Sequence, residues 1–186
     1  AILLLGDDAM IKVFLNNKLL NSIIEIEKNK TILENTKVPI ELSNKFRKNT
    51  RKRSSYASNA IEGNPLSYQQ AENAIESKNR HFLKPEQEIR NYYLALEYLS
   101  KELERKMPFS IELLLKVQKQ IVFGESKDKI GLRGPMPPGV LFAVYDSNTG
   151  NPEYIPPEYN DIPKLLEELV NYINNSDDHP IIKAAI

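Results

Sequence analysis

Glu62 sits where a carboxylate is disfavoured. Leu42, Phe46, Thr50, Ser54, Ala57 and Ile61 recur at helical spacing, so residues 41–62 read as one helix. Gly63 suits the left-handed position just past a helix end, and Asn64-Pro65 prevents continuation. Glu62 is then the last helical residue, and its carboxylate faces the negative end of the helix dipole. The penalty is only about 0.3–1 kcal/mol. A local rule broken without local compensation is where function tends to sit. Ser58 lies four residues earlier on the same face. A hydroxyl there can hydrogen-bond and aim the carboxylate. The plainer reading is a solvated glutamate beside a helix stop.

Other chemistries are poorly supplied. The 186 residues include no cysteine, so disulfides and thiol chemistry are absent. The two histidines, His81 and His179, are far apart and suggest no zinc site. Lys45, Arg47, Lys48, Arg51, Lys52 and Arg53 place six basic residues in nine, an invitation to phosphate or nucleic acid. They point around the helix rather than along one stripe, and the net charge is zero. Both features disfavour a duplex binder and predict a solvated face. No apolar run approaches the roughly 20 residues that span a bilayer. Ala1–Leu5 is too short for a signal peptide and lacks a basic flank. The expectation is a cytoplasmic protein without a membrane partner. Met10 offers an alternative start, which leaves the native status of residues 1–9 open.

Helices account for most of the chain. Leu19, Leu20, Ile23, Ile24 and Ile26 alternate with charges over residues 16–35 as an amphipathic helix, which Met10–Leu15 either extends or precedes as a short strand. Ser67 and Gln70 read as a capping box for a helix to about residue 78. Pro85 opens the next, to about residue 106, with Ile89, Tyr92, Leu96, Leu99 and Leu103 as its buried stripe. Ser110 caps another, which Gly124 stops. The tyrosines here read as packing rather than a ligand platform. From residue 125 to 160 the texture changes to glycine, proline and turn residues. Val140, Leu141, Phe142, Ala143, Val144 and Tyr145 have strand composition. The turn-rich 146–152 segment comes next, and Tyr154-Ile155 can return as partner strand. A hairpin over 140–155 on a helical body is predicted. Leu165, Leu166, Leu169, Val170 and Ile173 make a further helix after Pro163, and Asp177 or Asp178 caps a last one that opens at Pro180 and is still running at Ile186.

The stretch Arg53-Ser54-Ser55-Tyr56-Ala57-Ser58-Asn59-Ala60-Ile61-Glu62-Gly63-Asn64-Pro65 resembles the inhibitory helix of Fic-family protein adenylyltransferases, whose short form is Ser/Thr-x-x-x-Glu-Gly/Asn. Gly131-Leu132-Arg133, the 140–155 hairpin, Tyr154-Ile155-Pro156-Pro157 and the 163–173 helix resemble that family's flap region and the segment after it. His179 to Ala185 is similar to the segment leading into its catalytic loop. The resemblance runs over about residues 17–186. It implies a mainly α Fic-type helical bundle with one β-hairpin flap. Residues 1–105 would be the N-terminal region with the inhibitory helix at 41–62. Residues 106–186 would be the first part of the core, with the flap at 140–155. The family's loop, His-x-Phe-x-Asp/Glu-Gly-Asn-Gly-Arg-x-x-Arg, is absent, and no glycine occurs after Gly150. A phosphate cradle needs close backbone amides. The expectation is a chain that stops before the loop, with the C-terminal part of the core missing.

The resemblance implies the regulatory and target-docking portion of an ATP-binding nucleotidyltransferase that performs AMPylation. AMP would pass from ATP, with Mg2+, to a Ser, Thr or Tyr hydroxyl of a target protein. No catalytic residue and no metal ligand lie in this chain, which alone would bind neither ATP nor Mg2+ and be inactive. Ser58, Glu62 and Gly63 would be the inhibitory motif, with Glu62 holding an arginine of the missing loop by a bidentate pair. Val140 to Tyr145 would register a target segment by strand addition. A homodimer is open; nucleic acid is disfavoured. Two alternatives are a non-catalytic helical module, binding nucleic acid through 45–53 or peptide through the hairpin edge, and an inhibitor of a separate Fic enzyme.

Overall fold

The computed structural model describes residues 16–79, 81–126, 129–140 and 143–185. Among the described residues the α-helices number seven: α1 (Asn17–Glu34), α2 (Ile40–Ile61), α3 (Tyr68–Glu76), α4 (Lys84–Glu104), α5 (Ile111–Ile121), α6 (Ile162–Asn175) and α7 (Pro180–Ala185). Two short strands, β1 (Val144–Tyr145) and β2 (Pro152–Tyr154), pair antiparallel between α5 and α6. The mainly helical architecture with one hairpin matches the sequence expectation. Among the described residues, no helix is long and apolar enough to cross a membrane.

Local signals set most helix ends. Asn16 accepts from the Leu19 amide at the start of α1. Ser67 and Gln70 form a reciprocal capping box on α3. Ser110 accepts from the Leu113 amide to open α5, and Gly124 lies at φ 91° beyond it. The cap of α7 differs from expectation. His179, not Asp177 or Asp178, precedes it, and His179 Nδ1 accepts from the Ile181 amide. Asp178 is occupied with the Tyr172 hydroxyl at 2.6 Å. Because Nδ1 accepts, Nε2 carries the proton and donates to Glu27 on α1 at 3.0 Å.

Helix α4 is the central element, and α2, α3 and α5 pack on it. Ala71 and Ile75 of α3 meet Ile89 of α4, with Tyr56, Leu66 and Tyr93 around them. Ile89 is fully buried, which is worth about 1.5–3 kcal/mol. Ala71, Ala74 and Ala95 are also buried, and their small side chains let the helix backbones approach. Of the predicted stripe of α4, Ile89 is buried, Tyr92, Leu96 and Leu99 are half-buried and Leu103 is 71% exposed, while Asn91 and Ala95 are buried beside it. Leucine periodicity marks the apolar face, and Leu103 at its C-terminal end is the part left uncovered.

Buried and half-buried polar side chains tie these helices together. Asn91 donates to the carbonyls of Ile121 and Phe123 and accepts from Gln87, so it closes the last turn of α5. Arg90 donates to the carbonyls of Ala74, Ile75 and Ser77, closing α3, and stacks over Phe82. Lys183 does the same for α6 through Ile173 and Ser176.

Candidate functional site

The end of α2 is fixed by backbone and side chains together. The Gly63 amide donates to the Ala60 carbonyl and the Asn64 amide to the Asn59 carbonyl, the paired bonds of a Schellman motif. Gly63 has φ 85°. A Cβ there would meet nothing within 4 Å, so glycine is required by the backbone conformation and not by space. Glu62 is the capping residue, one position beyond the last helical residue.

Asn64 locks the chain as it leaves α2. Its side-chain amide donates to the Pro85 carbonyl at 2.9 Å and to Glu88 at 3.0 Å, and its oxygen accepts from the Leu66 amide. The Ser58 hydroxyl donates to the Tyr92 hydroxyl at 3.0 Å. It therefore turns to α4 and braces the helix rather than the Glu62 carboxylate. Asn59 donates to the Ser55 carbonyl. Tyr92 is the positioning residue that sequence reasoning misses, together with the side-chain bonds of Asn64 to α4. Asn64 is visible as part of the helix-stop motif, but Tyr92 carries no signal beyond its place in an apolar row.

Ser58, Asn59, Ile61, Glu62, Tyr92 and Ile121 line one open cleft of about 420 Å³. Among the described residues, the Glu62 side chain has no hydrogen-bond or ion-pair partner. Ile61 beside it is 84% exposed. The arrangement is a carboxylate on a rigid ledge with apolar flanks, which suits a planar cation such as guanidinium. It does not suit a triphosphate, since no basic side chain lines the cleft. Nor do the described residues contain a His, Cys, Asp or Glu cluster that could hold a metal. The residues that line the cleft therefore offer neither a phosphate cradle nor a metal-ligand set.

The basic run on α2 departs from a solvated face. Lys52 is buried and reaches Glu72 at 2.7 Å and Glu76 at 2.6 Å. Burial pushes its ammonium pKa down, but the two carboxylates outweigh this and leave it raised. The Lys52 hydrogen bond holds the Glu76 carboxyl below its usual range. Arg51 donates to Ser100 and lies over the Tyr93 ring. The run is in part an internal clamp, because α3 and α4 present carboxylates and an aromatic face to it.

The hairpin is shorter than predicted. Val144 pairs with Tyr154 and Tyr145 with Pro152, with a bulge between Val144 and Tyr145. Ala143 lies outside the strand, and the Val140 amide is turned back to the Pro137 carbonyl. Pro137-Pro138-Gly139 bends the chain, with Gly139 at φ 80°, so strand composition at Val140 loses to turn chemistry. The return strand is Pro152–Tyr154, which begins two residues and ends one residue before the expected Tyr154-Ile155. Leu141 and Phe142 lie outside the described residues, as do residues 1–15, including the Met10–Leu15 segment, and Ile186. The Asp146 carboxylate accepts the amides of Asn148 and Thr149. The Thr149 and Asn148 amides hold it below the usual range. Both strands are exposed, and Val144, Tyr145 and Tyr154 offer an apolar, hydrogen-bonding edge.

Comparison with known proteins bears on the fold. No family model matches the sequence, and no curated protein matches it. Among solved structures, it is similar to a Fic family protein from Desulfovibrio desulfuricans G20, with a TM-score of 0.70 and 23% identity. The match covers 92% of this chain and 50% of that one. The chain therefore has a Fic-like fold and spans about half the length of the structure it matches.

Proposed function

We propose that this chain is the regulatory and target-docking portion of a cytoplasmic protein AMP transferase, restrained by Glu62. The observation that carries the reading is the unpartnered Glu62 carboxylate on a doubly anchored helix end, lining an open cleft. The likeness in fold and the Ser58, Glu62 and Gly63 motif support it. In this reading a target hydroxyl oxygen bonds to the α-phosphorus of ATP and pyrophosphate leaves. The base and the phosphate-binding loop come from chain outside these 186 residues. Glu62 pairs with an arginine of that loop and withdraws it from the nucleotide. Val144 and Tyr145 in the hairpin, with Val140, Leu141, Phe142 and Ala143 leading into them, register the target segment.

The test uses a protein that contains this chain together with such a loop. Glu62→Gly raises label transfer from ATP to protein about tenfold or more, a barrier change of about 1.4 kcal/mol. Glu62→Asp relieves the restraint in part, because the shorter arm loses bidentate reach. Ser58→Ala has a milder effect, since it loosens the helix rather than removing the anion. An unchanged rate in folded Glu62→Gly protein makes Glu62 a helix-end residue only. The 186-residue chain alone transfers no label; transfer above a no-protein control would sink that part.

A further inference from the structure

A larger groove than the Glu62 cleft lies elsewhere, between α2 and α4, and the C-terminal end of α1 closes one side. Its volume is about 1280 Å³. Phe46, Leu96, Leu99 and Leu103 supply its apolar surface from the two walls, and Leu33 and Val38 supply it from the α1 side. Leu33 is 70% exposed and Phe46 56%. A contiguous apolar groove of this kind marks an interaction site.

Its walls carry opposite charge. Arg47 and Lys48 stand on α2, Glu97 and Glu104 on α4. The contacts Arg51 to Ser100 and Ser58 to Tyr92 run in opposite chain directions, so α2 and α4 are antiparallel. That pairing sets Arg47 level with Glu104 along the groove. Lys48 is paired with Glu76 and Glu97 with Lys101. Among the described residues, the side chains of Arg47 and Glu104 have no ion-pair or hydrogen-bond partner.

We propose that this groove pairs with itself in a second copy of the chain. A two-fold axis parallel to the groove lays the basic wall of one copy on the acidic wall of the other at equal level. Arg47 then faces the second copy's Glu104, and Glu104 its Arg47, with the leucines and Phe46 enclosed between. Such self-complementarity is what an isologous contact requires. A uniformly acidic peptide or a nucleic acid meets like charge on the α4 wall, so a copy with zero net charge fits better. This inference is independent of any transferase activity.

Sedimentation of the full 186-residue chain at about 10–100 μM tests it, with circular dichroism as a folding control. Wild type sediments as a dimer. Arg47→Glu and Glu104→Arg, each alone, place like charges at both contacts and raise the dimer Kd about tenfold or more. Mixed in equal amounts, the two single variants form a heterodimer. The glutamate introduced on α2 of one copy then meets the arginine introduced on α4 of the other, and the second contact keeps its native Arg47 and Glu104. Recovery on mixing separates an intermolecular pair from one within a chain. A monomeric wild type overturns the proposal and leaves the groove to another protein or another segment. A dimer that persists in either single variant, or a monomeric mixture, overturns it too.

Discussion

Residues 40–104 and residues 111–175 contain similar polar side chains and use them in opposite ways. In the first stretch, partners are distant in sequence. Lys52 reaches Glu72 and Glu76, Ser58 reaches Tyr92, Arg90 reaches back to Ala74, and Arg51 reaches Ser100. In the second, the ion pairs within the stretch are local, and its longer-range bonds, such as Gln118 with Gly131, Asn174 with Phe109 and Asn91 with the Ile121 and Phe123 carbonyls, mostly end on backbone carbonyls. Lys116 pairs with Glu112, Lys129 with Glu125, and Asp146 with its own turn. Helices α5 and α6 bury no residue fully. The first stretch is one interlocked unit that presents Glu62 from a fixed frame. The second is a chain of locally satisfied pieces that offers surface.

Breaking the interlock has the largest expected effect. Lys52→Ala removes a buried aliphatic stem and the shared partner of two carboxylates. It costs about 2–3 kcal/mol in a denaturant titration. Lys52→Met keeps the stem and recovers more than half of that. The pH dependence has a definite sign. The folded pKa of Glu76 lies below its ordinary 4.5, so its contribution is full above that value and is lost as pH falls through the folded pKa. The raised pKa of Lys52 acts at the other end, and its contribution is lost only as pH rises past the ordinary 10.5. The stability gap between wild type and Lys52→Met therefore narrows in acid. A gap that is constant from pH 7 to about pH 3 would mean that the pair does not couple to folding.

The next pair of variants sets the two stretches against each other. Asn91→Ala orphans the Ile121 and Phe123 carbonyls and leaves Gln87 without its acceptor. The cost is about 2 kcal/mol of global stability. Asp146→Ala removes the acceptor of two turn amides in an exposed hairpin. Hydrogen exchange at Asn148 and Thr149 speeds up while the thermal midpoint stays put. A matching fall in the midpoint would show that the hairpin belongs to the interlocked unit after all.

The same contrast explains what can be read without a structure. Ser67 with Gln70, Ser110, Gly63 and Gly124 are decided by neighbours within one turn, and each stands where its type predicts. The α2 boundary falls within a residue of expectation for that reason. Lys52 reads as solvated when its segment is judged without Glu72 and Glu76. The Ser58 acceptor lies 34 residues away, and nothing local in sequence separates Tyr92 from a packing tyrosine. Composition overstates strand at Val140 and Ala143 because strand preference depends on a partner, and Pro137-Pro138-Gly139 turns the Val140 amide back before one is met. The cap of α7 goes to His179 because Asp178 has a better partner in Tyr172. What remains open to sequence is the motif around Glu62, whose backbone geometry is local even though its bracing is not.

The smallest effect belongs to Tyr92→Phe, and it tests how the Glu62 ledge is held. Phenylalanine keeps the ring and removes only the oxygen that accepts from Ser58. A serine hydroxyl in a helix can turn to the carbonyl four residues back, so the orphaned donor finds a substitute. The net loss is below about 1 kcal/mol. The ledge also keeps its second anchor, because Asn64 still reaches Pro85 and Glu88. Amide exchange at Gly63 and Asn64 therefore rises only slightly in Tyr92→Phe. In Tyr92→Phe with Asn64→Ala it rises by more than the two single changes multiplied together, since both anchors brace one helix end. Simple multiplication of the two would mean that Ser58–Tyr92 and Asn64 act on separate pieces. In a protein that carries the catalytic loop, Tyr92→Phe raises label transfer less than Glu62→Gly does, because it slackens the ledge but leaves the anion. Equal activation by both would transfer the restraint from the carboxylate to the helix itself.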